Sequence, residues 1–600
     1  MVHDYTAEIL AVPVYIHPKL ISGTEKQCTY SLLGDVCRNR LVGYVSLVLV
    51  WKFLKWLFVE SPLECIPGPP ALSRIGGNVQ QLFAENGWKF YYDTLERCWS
   101  NESLTQFKSV DLAFAPVNRW RSDEDEGTEN MLFLCDPKAL HHILVKDQLI
   151  YEEATAFVAT NKLMFGDGLL SALGEQHRKQ RKMLTPVFSI AHMRAMTPIF
   201  FEVTGRLHQA LVNQVKNGPK EVDILHWMTR TALELIGQSG MGYSFDSLRN
   251  DHDSAEENPY ARSVKRFGGL LTGPSVFFTC NYLIPLANSL DFPRFKRWVV
   301  DRLPSQWAQD LKDVADTMEN TALDICKLKQ KEIDAGESDE SKKDIISILM
   351  RANASAAEED RLTDKEVVAQ VATLVFAAMD TTSSALSRIL YLLTKHPEVQ
   401  EKLRAELLEA KKNNGEDEFS YDQLVTLPYL DAVCRETLRV YPPLGTASRT
   451  ARNDMVLPLA KPIRTTSGKE ISELVVPNGT TIFISIIGAN TNPDMWGPDS
   501  YEWKPERWLQ PLPEKVGEAH MPGIYSNLMT FLGGSRACIG FKFSQLEMKV
   551  VLSMLLTSFK FEDAGKNIMW KMPGIASPTV EGKDVTRPTL PMILSLLDKQ

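Results

Sequence analysis

The sequence lacks the short motifs by which several common catalytic and metal-binding folds are recognised. Its nine cysteines include no C-x-x-C pair and its eleven histidines no H-E-x-x-H, which excludes the common zinc sites. No G-K-[ST] phosphate loop occurs, and the glycine-rich segment 237–242 satisfies neither the hydrolase elbow nor the dinucleotide fingerprint. The scattered, odd set of cysteines also excludes a disulfide framework and indicates a reducing environment for most of the chain.

A long basic run is missing as well. Lysine and arginine number 66 against 75 for aspartate and glutamate, so the net charge is −9 and the pI is about 5.8. An acidic chain of this kind is not typical of a nucleic-acid binder, and we expect no nucleic-acid partner. Hydrophobic residues make up 44% and charged residues 24%, which is the composition of a globular protein.

The N-terminal region contains one strongly apolar run, residues 41–59, with Lys52 and Lys55 in its second half. A bilayer crossing needs about 20 apolar residues, and lysines near an end can extend toward the interface. We therefore predict a single transmembrane anchor helix over 41–59, preceded by an N-terminal extension over 1–40. A helix that lies in the membrane surface or packs on the protein is the alternative.

Prolines dominate the segment that follows. Residues 61–70 contain four prolines and a glycine. Since proline fixes φ and lacks an N–H donor, we predict a stiff, non-helical hinge over 60–72 between the membrane and the globular body. No convincing boundary or internal repeat appears further on, so 73–600 is predicted to be one large domain.

Most of that domain has the pattern of consecutive helices, and short strand signals begin after Pro442. The predicted fold class is mainly α with minor β. One long helix stands out, because Thr363 and Glu366 form a capping-box signature before an apolar stretch that Pro397 ends. Asp380, Thr381 and Thr382 lie in its apolar middle, where an unpaired carboxylate would be costly.

A glycine-rich loop near the C-terminus holds the most specific pattern, F-x-x-G-x-R-x-C-x-G. The matching residues are Phe531, Gly534, Arg536, Cys538 and Gly540. A loop of this kind can direct backbone N–H groups at a thiolate. It resembles the haem-ligand loop of the cytochrome P-450 family, with the long central helix lying over the haem and small β-sheets beside it. The resemblance implies that Cys538 is the axial ligand of haem b iron and Arg536 pairs with a propionate. Gly540 would let the following helix pack close to this ligand.

Further segments resemble the same family in the same order. Glu436 and Arg439, at i and i+3 of a short helix from Pro428, and Arg507 would form a buried structural network. AAMDTT at 377–382 resembles the oxygen-activation motif, although Ala378 stands where glycine is usual. The resemblance implies that Thr381 holds a proton-donating hydrogen bond and that Asp380 relays protons. A threonine that only bonds back to its own helix is the alternative.

Three more residues are propionate candidates by the same resemblance. In GEQHRKQRK at 174–182, His177 replaces the usual tryptophan and Arg181 is retained, while Arg449 follows the short helix. The basic residues of this segment either face an acidic redox partner or form a solvated surface.

The resemblance implies a membrane-anchored, fungal-like haem-thiolate monooxygenase of secondary metabolism or xenobiotic oxidation. Dioxygen and a small apolar substrate would react there, with electrons from NADPH–cytochrome P-450 reductase and cytochrome b5 as a second candidate donor. The implied location is the endoplasmic reticulum, with the catalytic domain in the cytosol. A reductase-independent isomerase or dehydratase and a silent haem-binding scaffold are the alternatives. Predicted substrate-facing residues are Leu374, Ala377, Ala378, Leu444–Ala447, Ile575 and Ala576.

Overall fold

A computed structural model describes residues 62–66, 90–93, 95, 106–107, 131–246, 248, 258–270, 279, 284, 287, 292–335, 344–415, 418–571, 574–584 and 587–597. These residues belong to one compact unit, Pro62–Gln600. The predicted N-terminal extension and the predicted anchor, 1–40 and 41–59, lie outside the described residues.

Helices dominate the described part of the chain, which confirms the predicted fold class. The α-helices are α1 Pro137–His141, α2 Thr155–Phe165, α3 Gly174–Leu184, α4 Ile190–Val215, α5 Ile224–Leu235, α6 Pro259–Leu270, α7 Pro293–Val300, α8 Gln306–Asp334, α9 Ile345–Ser355, α10 Asp364–Lys395, α11 Pro397–Asn414, α12 Tyr421–Thr426, α13 Pro428–Val440, α14 Ile486–Asn490, α15 Pro493–Trp496, α16 Glu514–Glu518 and α17 Phe541–Leu555.

The strands form small separate sheets. They are β1 Gln106–Phe107, β2 Met131–Leu134, β3 Tyr151–Glu153, β4 Lys220–Asp223, β5 Thr446–Ala451, β6 Met455–Arg464, β7 Glu470–Val476, β8 Thr481–Ser485, β9 Phe559–Asp563, β10 Ile568–Lys571, β11 Ser577–Val580 and β12 Pro591–Leu596. The described strands pair in the orders β1-β2-β8-β5-β3, β4-β12-β9, β6-β7 and β10-β11. The prediction placed strands only after Pro442, but β1–β4 precede it. Such short segments carry no clear alternation, and distant partners hold them, as when β4 pairs with β12.

The predicted long helix is confirmed as α10. Thr363 and Glu366 form the expected capping box, the helix runs for 32 residues, and His396 and Pro397 end it. At about 1.5 Å per residue its length approaches 48 Å, enough to cross the whole domain. Helices α5, α8 and α17 pack against it, and most of its side chains are buried. The helix therefore forms the centre of the hydrophobic core.

The same helix passes a test for membrane-spanning length and composition. Among the described residues, Glu358–Lys395 is long and apolar enough, but 72% of its apolar window is buried inside the protein. A helix buried by protein on most sides has no free surface for lipid. This stretch is accordingly the core helix and not an anchor.

Part of the predicted hinge is helical. Pro62–Cys65 forms a 3₁₀ turn, Leu63 and Ile66 are buried, and the Cys65 carbonyl accepts a hydrogen bond from Thr466 N–H at 2.7 Å. The prediction of a non-helical spacer is wrong for these four residues. Proline fixes φ near −65°, which also suits the first turn of a helix, and two apolar side chains tie the turn to the core. Residues 67–72 lie outside the described part.

A buried carboxyl group on α17 makes stability depend on pH. Glu547 is fully buried, and neither side-chain oxygen has a hydrogen-bond partner among the described residues. Burial raises its pKa well above the ordinary value near 4.5. Because the folded-state pKa of Glu547 is higher than its unfolded-state pKa, its contribution to the free energy of unfolding is greatest at acidic pH, where the carboxyl group is protonated. That contribution is lost as pH rises toward the folded-state pKa.

We expect the thermal midpoint of the protein to fall between about pH 5 and about pH 8, and Glu547→Gln to reduce that fall. Each unit by which the folded-state pKa exceeds the unfolded one corresponds to about 1.4 kcal/mol. Calorimetric scans at both pH values measure the difference. Glu175→Gln is the control, because the Glu175 side chain is 86% exposed. Equal pH dependence of the protein and of Glu547→Gln would contradict the assignment.

Candidate active site

The loop that carries Cys538 is held by short 3₁₀ turns and by glycines at close approaches. Cys538 N–H donates to the Phe531 carbonyl at 2.8 Å. Gly534 has φ +71°, and a Cβ there would lie 1.7 Å from the Leu144 carbonyl oxygen, so only glycine fits. Gly533, which the sequence motif leaves open, is equally constrained, because a Cβ would lie 1.5 Å from the Pro522 carbonyl oxygen. The close contacts at Gly533 and Gly534 therefore constrain the backbone conformation of the loop.

Gly540 connects the cysteine loop to α17. Its φ is −90°, and an added Cβ would lie 3.9 Å from Phe188, an ordinary contact. Among the described protein atoms, therefore, nothing at this position requires glycine. The Gly540 backbone N–H bonds the Cys538 sulfur, which lowers the pKa of the thiol. Gly540 also caps α17, whose N-terminal end is electropositive.

Protein surrounds Cys538, yet the residue remains exposed to open space. Burial is the largest influence and raises the pKa of the thiol, while the Gly540 N–H and Arg181 oppose it. The side chain is nevertheless exposed, so the sulfur faces open space within the interior. A thiol in such surroundings is ionised when a metal ion coordinates it. The surroundings therefore fit an iron ligand.

A cluster of cationic and hydrogen-bonding side chains borders this space. His177 is buried, and burial, followed by the charges of Arg536, Arg181 and Arg449, lowers its pKa to about 3. His177 is therefore neutral at physiological pH and offers one N–H donor. A cleft lined by His177, Arg449 and Arg536 lies at the edge of the cluster.

Arg449 is satisfied only in part, whereas both terminal nitrogens of Arg536 donate to backbone carbonyls. Arg449 Nη1 donates to Glu153 at 2.7 Å across the β3–β5 pair, but its buried Nη2 has no partner among the described residues. Arg536 Nη2 donates to the Ala172 carbonyl at 2.8 Å. An orphaned buried guanidinium nitrogen calls for an acceptor, and the carboxylates of haem propionates would supply it. The cluster therefore fits the acidic edge of a haem.

One face of α10 also opens on accessible space. Phe376, Ala377, Ala378 and Thr381 are partly exposed, although nearly every other side chain in the middle of the helix is buried. Thr381 Oγ1 donates to the Ala377 carbonyl at 2.8 Å, which is the back-bonded alternative. Its hydroxyl oxygen remains an acceptor, and the side chain lies on the open face.

Asp380 has a partner that the sequence did not reveal. Its carboxylate is buried and forms an ion pair with the ammonium group of Lys265 on α6, which also donates to Ser383 Oγ at 3.2 Å. This pair explains how a charged side chain is tolerated in the core helix. The partners are 115 residues apart in sequence, and no local pattern relates them.

A line of amides joins α10 to the cysteine loop. Gln370 on α10 accepts from Leu169 N–H at 3.1 Å and donates to Gln180 of α3 at 2.9 Å. Gln180 in turn donates to Glu366 at 2.9 Å. Arg536 of the cysteine loop binds the carbonyl of Ala172, which lies in the same segment as Leu169. These bonds therefore fix the cysteine loop relative to α10. Sequence reasoning missed Gln180 and Gln370, which belong to no motif.

Glu436, Arg439 and Arg507 come together behind the cysteine loop. Arg439 binds both Glu436 oxygens, at 2.9 and 2.8 Å, and Arg507 Nε donates to Glu436 at 3.4 Å. Trp508 Nε1 and Lys504 N–H donate to the same carboxylate at 2.9 and 3.0 Å. Every charge in this buried group is paired, as such a site requires.

The predicted substrate-facing residues separate into two sets. Ala377 and Ala378 lie on the open face of α10, and Leu444 is 41% exposed. Leu374 and Ala576 are buried, so their side chains are packed in the core. Leu444 and Ile575 form an isolated antiparallel bridge, which places the two loop segments side by side. The open face and the Leu444 segment are thus the candidate walls.

The comparisons with known proteins agree with this geometry. The sequence model of the family described as cytochrome P-450 matches residues 116–583. Cytochrome P-450 monooxygenase 91 of Postia placenta is 45% identical over 563 residues, 93% of this chain and 98% of the relative. A ganoderic acid synthetase of Ganoderma lucidum is 40% identical over 550 residues, 90% of this chain and 95% of the relative. The chain therefore belongs to the cytochrome P-450 family, and it is a monooxygenase of that family.

Proposed function

We propose that the protein binds haem b through Cys538 and inserts one oxygen atom from dioxygen into a small apolar substrate. The observation that carries this is the exposed Cys538 residue, close enough to Arg181 for that charge to lower the pKa of the thiol. A bound haem would supply the oxygen chemistry. Cys538 would hold the iron, the Gly540 N–H would temper the sulfur charge, and Arg181, Arg449, Arg536 and His177 would bind the propionates.

Two side chains of α10 would handle protons. Thr381 lies on the open face, and its hydroxyl would hold a proton at the reacting oxygen. Asp380, one residue earlier, would pass protons inward when its ion pair with Lys265 exchanges. Positioned proton donors of this kind contribute roughly 10²- to 10⁴-fold to a rate.

Replacing Thr381 with valine tests this role. We expect Thr381→Val to lower product formed per NADPH consumed by about ten-fold or more, because proton delivery then competes poorly with side reactions. Parallel assays of product and NADPH measure the ratio. Thr382→Val is the matched control, since Thr382 is buried and its hydroxyl has no partner among the described residues. An unchanged ratio in Thr381→Val would contradict the role.

Electrons are proposed to come from NADPH–cytochrome P-450 reductase, with cytochrome b5 as a second donor. The experiment is turnover of the purified full chain with and without reductase and NADPH, on a panel of terpenoids, steroids, fatty acids and polycyclic aromatics. Product that forms only with both components supports the proposal. Product that forms without them would support the isomerase or dehydratase alternative, against which the presence of Thr381 argues.

A terpenoid of secondary metabolism is the substrate class we propose. The apolar walls at Ala377, Ala378 and Leu444 suit a large hydrocarbon body. One relative is by name a ganoderic acid synthetase. The panel assay ranks terpenoids against the other classes, and a preference for fatty acids would overturn this choice.

We also propose that the protein is anchored in the endoplasmic reticulum membrane by 41–59, with the catalytic domain in the cytosol. A second feature supports membrane contact. On and beside α7, Phe292, Phe295 and Trp298 are 66%, 56% and 51% exposed, and Arg294 is exposed next to them. An amphipathic helix with aromatic and basic residues is suited to the interface of an anionic bilayer.

Radical footprinting of the full chain tests this contact. We expect oxidation of Phe295 and Trp298 to be roughly five-fold lower in lipid nanodiscs than in amphipol without lipid. The nanodiscs contain phosphatidylcholine and phosphatidylserine. Leu149, which is 80% exposed, serves as the control side chain. Equal oxidation of Trp298 in both media would contradict membrane contact by α7.

A further inference from the structure

A buried arginine on α10 has no role in the site described so far. Arg388 lies seven residues after Thr381, so it projects from nearly the same side of the helix, about two turns further on. Its side chain is 8% exposed. The guanidinium carbon lies 3.4 Å from the centroid of the Trp570 ring and 4.5 Å from that of Tyr441. The side chain is thus in contact with two aromatic rings.

These two aromatic residues stand just before the Leu444 and Ile575 segments, the candidate walls of the proposed substrate space. Tyr441 follows α13 and precedes Leu444 by three residues, while Trp570 lies in β10, ahead of the turn that holds Ile575. The segments are joined by the Leu444–Ile575 bridge and by Ala576 N–H donating to the Pro443 carbonyl at 2.8 Å. Arg388 therefore contacts the aromatic residue that precedes each of the two loop segments.

A second contact from α10 holds the same place. Ser384 Oγ, one turn before Arg388, donates to the Ala576 carbonyl at 2.5 Å. Ser384 fixes the turn of the β10–β11 hairpin, and Arg388 fixes its first strand. Two side chains of α10 thus contact the hairpin, one at its turn and one at its first strand.

An ion pair does not explain Arg388. Among the described residues, no carboxylate forms a salt bridge with it, and burial lowers the pKa of its guanidinium group to about 9. Burying a guanidinium without a carboxylate costs free energy that stacking on aromatic rings offsets in part. Its planar guanidinium group lies over both rings.

We propose that Arg388 is a positioning residue that sets the shape of the substrate space by holding Trp570 and Tyr441, and through them the Ile575 and Leu444 segments. The proposal rests on the haem-centred function above. It assigns Arg388 no contact with the substrate. Its effect is on which ligands fit between α10 and the hairpin.

The test compares two iron ligands of different size in the haem-loaded full chain. Imidazole needs little room, whereas 4-phenylimidazole must also fit its ring into the substrate space. We expect Arg388→Met and Arg388→Lys to change the ratio of the two dissociation constants by roughly five-fold, since a lysine cannot lie flat between two rings. Spectral titration measures both constants. Hydrogen–deuterium exchange of the β10–β11 peptide should also rise.

Arg230→Met is the matched control. Arg230 is likewise buried and stacks 4.5 Å over a tryptophan, Trp227, but both lie on α5, away from the two loop segments. It should lower the thermal midpoint without moving the ligand ratio. An unchanged ratio in both Arg388 variants, with normal spectra, would overturn this inference alone. A full chain that gives no ligand-induced spectral shift would overturn the proposed haem site and the inference with it.

Discussion

Cys538→Ala is expected to lose the thiolate-haem spectrum and to lower product formation by roughly 10³-fold or more. Cys538 provides the sulfur that faces the interior space, and alanine offers no ligand atom there. The carbon-monoxide difference spectrum of reduced protein and a reductase-dependent turnover assay measure the two effects. The change is expected to be this large because loop 531–540 holds no second cysteine or histidine that could take over the coordination.

The structure offers a control of the same residue type. Cys326 is a free, partly buried cysteine on α8, and burial raises the pKa of its thiol to about 11. Cys326→Ala should retain both the spectrum and the activity. If Cys538→Ala kept the thiolate spectrum, the assignment of the axial ligand would be wrong, whatever its activity.

The second large effect is expected at Glu436. Glu436→Gln leaves the guanidinium groups of Arg439 and Arg507 without the carboxylate that they share, in a place where Arg439 is fully buried. Breaking one member of a buried ionic group costs about 3–5 kcal/mol. We expect a lower thermal midpoint and less haem-loaded protein at equal expression. Differential scanning calorimetry and haem content measure these quantities.

An exposed pair with the same spacing serves as the control. Asp324 and Lys327 are also at i and i+3, 3.4 Å apart, but their side chains are 73% and 68% exposed. Asp324→Asn should change the stability by less than about 0.5 kcal/mol, as exposed pairs do. If Glu436→Gln were as stable as Asp324→Asn, the network would have no structural role.

Features that depend on neighbouring residues could be predicted from the sequence. The capping box at Thr363 and the proline at 397 delimit α10, because both signals act within one turn of the helix. The i, i+3 spacing of Glu436 and Arg439 placed them on one face for the same reason. The loop around Cys538 could be recognised because its glycines and cysteine lie within ten residues.

Gly533 shows a limit even within that loop. The motif leaves its position open, but a Cβ there would lie 1.5 Å from the Pro522 carbonyl oxygen. A glycine's steric need depends on what the rest of the chain brings beside it. The motif alone does not contain that information.

By itself the sequence determined the family and the central helix, and it predicted the ligand cysteine, since each depends on short-range patterns. Only the tertiary structure decided that Asp380 pairs with Lys265, that Arg449 pairs with Glu153 across two strands, and that Arg388 stacks between Trp570 and Tyr441. These partners are separated by tens to hundreds of residues, so the path of the backbone, and not local spacing, brings them together. Burial then makes each contact obligatory, because a charge inside the core must find a partner.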